Sequence, residues 1–328
     1  MNELGKLPQI FLDHPEFLHR FICNFFPIPL KTLYKYRLRW FWCDICSNQQ
    51  IQWSEKLIED HLFYLDWLWL SQNPKLPWTT DFICKYEDKW DWSLLSYYAS
   101  LLTPYETIGN FYNKWDWTSL SENENIHWTD EVIDTYKEKW DRTSLSANLK
   151  LPWSYNLLDK YKEKWSWDSL YSNEGIPWND QLIGSFKDKL NNMLTESDDD
   201  YYDLTDKQLE KYSISGELGG FSDTDEVLWT EEVIEKYKEY WVWEGVDSLS
   251  TNIFIPWTLD LLVKYEDRLD WNVIFLNSKI WDDIGRYHLT ESNVEHFIKN
   301  SGFPLKSLKD MLRETKYYYD KSKKNFSK

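Results

Sequence analysis

Cys43-Asp44-Ile45-Cys46 is a C-x-x-C pair, half of what a tetrahedral zinc site needs. His61, Cys23 or His19 could supply the missing ligands. A second candidate is Glu196-Ser197-Asp198-Asp199-Asp200-Tyr201-Tyr202-Asp203, whose clustered carboxylates suit calcium, though without the spacing or glycine of an EF-hand loop. A third is an aromatic row at 25-residue spacing, Trp42, Trp67, Trp92, Trp117 and Trp167. Arg142 interrupts the row, and Tyr97 and Tyr98 lie beside it. Indole faces stack on bases, sugars or cations, and an arginine among them can pair with an acidic group on a partner. Equally, Arg142 reads as a drifted surface residue. The sequence holds no G-x-x-x-x-G-K-S/T, G-x-G-x-x-G, G-x-S-x-G or H-E-x-x-H, and its six histidines are scattered. No catalytic, cofactor or metal residue is assigned, and a non-enzyme is expected.

The elements that position these residues come from one repeated unit. Ile28, Trp53, Trp78, Thr103, Trp128, Trp153 and Trp178 stand 25 residues apart. Five residues on lies a column of Leu or Ile (Leu33 to Ile183), and eight on a mostly aromatic one (Tyr36, Tyr86, Phe111, Tyr136, Tyr161, Phe186). Twelve on lies a column led by Trp40, Trp90, Trp115, Trp140 and Trp165; fourteen on, the row above; twenty on, Asn48, Asn73, Asn123, Asn148 and Asn173. The period drifts later: Leu204 opens a degenerate unit, Trp229 and Trp257 open clear ones, and Leu289 opens the last. This repeat explains the C-x-x-C more simply, since Ile45 fills a leucine column and Cys46 replaces the serine of positions 71, 96, 121 and 146.

Each anchor is followed by a helix-starting residue, such as Ser54, Thr79, Thr129, Ser154, Asn179, Thr230, Thr258 or Thr290. Acids follow these starters and lysines gather at the far end, the polarity a helix dipole favours. Apolar residues at offsets four, five, eight and twelve line one face. The spacing predicts a first helix of about 12 residues, roughly 18 Å long. A turn or two of second helix follows, closed by an Asn in the left-handed conformation. Neither helix buries its stripe alone, so neighbours must stack. The expected fold is all-α, an α-solenoid of about ten to eleven short helix–turn repeats. Its organisation is an N-terminal helical cap over 1–27, the array over 28–297 with its degenerate unit near 195–228, and a C-terminal cap with a basic tail over 298–328. The indoles at offsets zero and twelve read as core. The row at offset fourteen is the one placed to be partly exposed on a concave surface.

The consensus, P-W-S/T-x-x-L-I-x-x-Y-x-x-K-W-D-W-x-x-L-S-x-N, is clearest in Leu76–Ser96 and Leu151–Asn173. It resembles the tandem tryptophan-rich repeats of certain bacterial and large-virus proteins over residues 28–297. The resemblance implies a repeat type and no activity.

Composition narrows the function. The 328 residues include 22 Trp, 22 Tyr and 16 Phe, and 37 basic against 55 acidic residues leave a net charge of −18. Such a chain carries apolar surface to bury, and its charge opposes phosphate binding, so neither disorder nor nucleic acid is expected. Residues 306–328 are the basic exception, with eight Lys or Arg against three Asp or Glu. The N-terminus has no basic n-region, no apolar run nears membrane-spanning length, and four cysteines make no disulfide framework, so a cytoplasmic protein is expected. The leading expectation is a protein–protein interaction scaffold or adaptor with a protein partner and no membrane or nucleic-acid partner. The alternative is a small-molecule or nucleotide binding or sequestering protein that uses Trp42, Trp67, Trp92, Tyr97, Tyr98, Trp117, Arg142 and Trp167.

Overall fold

In the computed structural model, residues 7–101, 104–190 and 204–301 are described, and among them there is no β-strand. Each repeat begins as its capping residue predicts. The side chains of Ser54, Thr79, Thr129, Ser154, Asn179, Thr230 and Thr258 accept the backbone N–H three residues on. The helix that follows is half the expected length. Thr80–Lys85, Asp130–Thr135 and Tyr155–Lys160 span six residues each. It stops at the aromatic of offset eight: Tyr86, Tyr136 and Tyr161 have φ near −121°, −108° and −117° with ψ of 26°, 22° and 20°. A tight turn follows, with Lys89 N–H donating to Tyr86 C=O at 2.9 Å and Lys139 to Tyr136 at 2.8 Å. The turn curls the next indole back. Trp90 and Trp140 donate Nε1–H to the carbonyls of Ile83 and Ile133, seven residues earlier, at 3.0 and 3.1 Å. In a straight helix that carbonyl would lie about 10 Å away along the axis.

The second helix is capped by an acid or serine. Asp91, Asp116 and Asp141 accept from the N–H groups of Leu94, Ser119 and Ser144, and Ser166 from that of Ser169. The helices are Trp92–Tyr98, Trp117–Glu122, Arg142–Ala147 and Trp167–Tyr171. The closing Asn does not take the left-handed conformation. Asn123 and Asn148 both have φ −67°, with ψ 111° and 120°, and among the described residues only Gly216 and Gly245 have positive φ. The Asn side chain ties repeats together instead. Asn148 Nδ2 donates to the carbonyls of Ser121 and Asn123 in the preceding repeat, at 2.9 and 3.2 Å. Its Oδ1 accepts the Lys150 N–H at 2.9 Å, and its own carbonyl receives the Trp153 indole at 3.0 Å. Asn123, Asn173 and Asn277 repeat the pattern. A serine adds a second tie: Ser121 Oγ donates to Trp117 C=O at 2.7 Å and accepts the N–H of Asp141 in the next repeat at 3.0 Å.

The chain forms two compact units, residues 52–200 and residues 1–51 with 201–328. In the first, the short helices Trp67–Ser71, Trp92–Tyr98, Trp117–Glu122, Arg142–Ala147 and Trp167–Tyr171 pack in that order, each on the next. Between layers lie the Leu and Ile columns and the indoles of offsets zero and twelve, buried at Ile83, Leu95, Ile133 and Leu145 and at Trp78, Trp90, Trp128 and Trp140, and half-buried at Trp178 and Ile183. Each such aliphatic residue contributes about 1.5–3 kcal/mol by burial.

In the second unit the segment read as an N-terminal cap forms helices Gln9–Asp13 and Pro15–Phe25. The latter packs against Ile274–Leu276 and against Trp42–Ser47, burying Phe17, Leu18, Phe21 and Ile22. The degenerate repeat keeps the frame, with helix Asp206–Ser215 closed by a capping box at Thr205. Ser222 serves as its tie, accepting Val242 N–H at 2.8 Å and, at its carbonyl, Asn252 Nδ2 at 3.0 Å. The fold is an all-α solenoid of short helix–turn repeats.

Candidate interaction surface

In residues 52–200 the aromatic row sits at the first position of successive short helices, at Trp67, Trp92, Trp117, Arg142 and Trp167. These side chains are partly exposed. Their ring faces, however, meet the next repeat. Trp67 lies 4.9 Å from both Tyr86 and Trp90, Trp92 lies 5.3 Å from Phe111 and 5.2 Å from Trp115, and Trp117 lies 5.6 Å from Tyr136 and 5.1 Å from Trp140. Edge-on and tilted pairs of this kind add about 0.5–1.5 kcal/mol beyond their area. The indole N–H of Trp92 donates to the Glu87 carbonyl at 3.3 Å, and that of Trp167 to Lys162 at 2.9 Å. Lysines of the following repeat close over the rings, Lys89 on Trp67 and Lys114 on Trp92, each at 5.5 Å. The sequence showed these lysines only as a basic helix end; their spacing of 25, in step with the row, was the available signal.

Trp42 departs from the expected partial exposure. It lies in the other unit and is 1% exposed, with its Nε1–H on the Arg37 carbonyl at 2.8 Å. The helix Pro15–Phe25 packs against its short helix, which explains the burial.

Arg142 does the work of the indole it replaces. Its Nη2 donates to the carbonyl of Lys137, five residues back, as Trp92 and Trp167 do. Its guanidinium lies 5.0 Å from the Tyr161 ring and 5.8 Å from Trp165. Burial lowers its pKa, with Tyr161 and Glu138 opposing the shift. Nη1 is buried without a hydrogen-bond partner among the described residues.

Tyr97 and Tyr98 pack edge to face at 4.7 Å, and burial raises both phenol pKa values, with Glu122 and Glu124 adding to Tyr97. Tyr97 is 40% exposed. It lies one turn beyond exposed Ser93, and the next two short helices expose Thr118 with Glu122 and Thr143 with Ala147 at matching places. Ser144 Oγ donates to Glu122 across repeats at 2.9 Å. The side-by-side short helices thus present one face of hydroxyls, a carboxylate and a phenol.

At the C-x-x-C, Cys46 and Cys23 are buried and Cys43 is half-buried. Burial raises the Cys23 thiol pKa, with Asp44 adding to the rise. His61 donates Nδ1–H to the Leu57 carbonyl at 2.9 Å. Among the described residues no group of three His, Cys, Asp or Glu side chains is arranged to hold a metal ion. The acidic stretch at 196–203 and the basic tail at 306–328 lie outside the described residues. No described helix is long and apolar enough to cross a membrane. No protein family, curated protein or solved structure matches this chain.

Proposed function

We propose that this is a non-enzymatic, cytosolic scaffold or adaptor that binds a protein partner through the exposed face of its short helices in residues 92–147. One observation carries the reading: the indole rings are used between repeats, so what points outward is Ser93, Tyr97, Thr118, Glu122 and Thr143. Hydroxyls and a phenol suit hydrogen bonding to a polypeptide, and tyrosine is a frequent anchor of such interfaces. The net charge of −18 favours a partner that brings basic residues. The test is affinity capture with full-length protein beside Tyr97→Ser and Glu122→Lys variants. A protein retained by the wild type and lost from both variants supports the reading. Retention of the same proteins by all three, or no specific partner together with turnover of a substrate, defeats it.

The small-ligand reading keeps one supporting observation, the buried and unpaired Nη1 of Arg142. An anion reaching it would quench indole fluorescence saturably, and Arg142→Ala would abolish the effect. A flat titration against nucleotides and sugar phosphates removes this reading.

A further inference from the structure

Within the unit formed by residues 1–51 and 201–328, the first repeat is docked on the last as though it came next in sequence. Between ordinary neighbours, Lys264 and Tyr265 both bind Glu235 of the preceding repeat, at 3.0 and 2.7 Å. Lys35 and Tyr36 of the first repeat bind Glu295 of the last in the same way, the tyrosine at 3.2 Å. Arg268 Nη1 donates to the Lys238 carbonyl at 3.0 Å, and Arg39 Nη1 to the Ile298 carbonyl at the same distance. Counted from the repeat openings at Ile28, Trp229, Trp257 and Leu289, the paired positions are identical in both cases.

The short-helix layer shows the same substitution. Asn123 ties back to the carbonyls of Ser96 and Ala99, three residues apart, at 2.8 and 3.1 Å. Asn48 of the first repeat ties to Cys23 and Phe26, also three apart, at 2.8 and 3.0 Å. The helix Pro15–Phe25 therefore stands where the second helix of a repeat before Ile28 would stand. On its other side lies the repeat that opens at Trp257. Trp271 there is stacked by His14 at 3.6 Å and met edge-on by Phe17 at 5.1 Å, while the turn Ile274–Leu276 packs on the helix. Arg20 clasps both neighbours. It makes two hydrogen bonds to Asp44 of the first repeat, at 2.9 and 3.0 Å, and lies 3.7 Å over the Phe275 ring. Arg20 and Asp44 are 8% and 6% exposed.

We propose that residues 9–26 are the second half of the repeat that opens at Leu289, donated from the opposite end of the chain, and that they form a strap whose release unclasps the first repeat from the last. A terminal repeat is normally atypical because one face lacks a neighbour; here the strap and the first repeat supply that neighbour. The strap, the first repeat and the last repeat then open as one cooperative unit, a local event distinct from unfolding of the remaining repeats.

Hydrogen–deuterium exchange on the full-length protein tests this, comparing wild type with Asp44→Asn. Neutralising one member of the buried pair removes the Asp44 charge that compensates Arg20 and raises exchange at 15–25, 28–47 and 289–300 together, roughly a hundredfold or more. Exchange at 104–190 stays within about twofold. Because Asp44→Asn could fail to fold, Lys35→Glu provides an exposed alternative, placing like charges where Lys35 meets Glu295, and the same three segments respond. Faster exchange confined to 15–25 would make the helix an appendage and overturn the proposal. So would a uniform rise that includes 104–190, or no change in any segment.

Discussion

Asn148 shows how much one side chain carries in this fold. Its buried amide holds two carbonyls of the preceding repeat and one N–H of its own loop. Asn148→Ala takes the amide from the buried Ser121 carbonyl, an orphan that costs about 1–3 kcal/mol, and removes one hydrogen bond each, about 0.5–1.5 kcal/mol, from the Lys150 N–H and from the Asn123 carbonyl, which keeps the Trp128 indole. We expect a loss of about 3 kcal/mol or more, measured as a fall in the urea midpoint at constant slope. Asn148→Asp should cost more, because a carboxylate would then face the Ser121 and Asn123 carbonyls. A midpoint within the error of wild type for either variant would show that the ties are dispensable. Arg142 makes the opposite case. Its guanidinium fills an indole's place and hydrogen bond while Nη1 goes unpaired. Arg142→Trp should restore the ring pairing with Tyr161 and Trp165 and stabilise the protein by about 1 kcal/mol. If that variant is less stable than wild type, the arginine is held by contacts better than an indole makes. A stabilised variant that has lost a binding partner would mark Arg142 as selected for recognition.

Among the elements, the first helix of each repeat was legible at its start and not at its end. Thr129 and Ser154 read as caps because the signal is local: a hydroxyl accepts an N–H three residues away. Thr129→Ala should therefore cost about 1 kcal/mol, and Thr129→Asn much less, by thermal or urea denaturation. Equal losses would mean the hydroxyl is needed for more than its cap. The end was not legible because apolar residues at offsets eight and twelve fit one long helix as well as a short helix and a turn. What decides it is the curl that puts Trp140 Nε1 on the Ile133 carbonyl, a three-dimensional preference with no signature in the spacing. The Asn column misled for a related reason. Its type and place match a helix terminator, yet Asn148 bonds 25 and 27 residues back. The candidate row was legible as a column and half legible as a surface. Spacing placed Trp67, Trp92 and Trp117 correctly at the start of the second helix, but their facing rings belong to the next repeat. The outward face of Ser93, Tyr97, Thr118 and Glu122 had no motif, since exposed hydroxyls on a short helix resemble any solvated surface.

At the scale of the whole molecule, the stacking of repeats was legible because it follows from copies too short to bury their own stripes. The meeting of Lys35 with Glu295 was not, because nothing in a periodic sequence says that its first unit touches its last. That junction gives one of the two compact units its own response to acid. His19 lies there, 4.8 Å from the Phe41 ring and within about 6 Å of Trp40 and Phe297. Burial, and after it the charge of Arg20, lowers its pKa to about 3, against a backbone hydrogen bond at Arg39 that raises it and outweighs the lowering by the Arg39 charge. An unfolded chain binds a proton at this histidine below about pH 6.5, and the folded one refuses it. The stability contributed by the neutral ring is thus complete above pH 6.5 and is lost as pH falls toward 3, at about 1.4 kcal/mol per unit. The exposed carboxylates act lower. Glu235, held to about 2 by Lys238, Tyr265 and Lys264, loses its share only as pH falls from about 4.5, and solvent screens that share. Glu138 and Glu163 in residues 52–200, lowered by Lys164 and Lys189, fall in the same acid range. Between pH 6.5 and 5, then, the unit of residues 1–51 and 201–328 should soften by about 2 kcal/mol while residues 104–190 hold. Exchange rates corrected for intrinsic pH dependence should rise at 28–47 and 289–300 over that interval, and His19→Gln should flatten the rise. If the rise persists in His19→Gln, another group drives it; if 104–190 loosens equally, the two units do not respond separately.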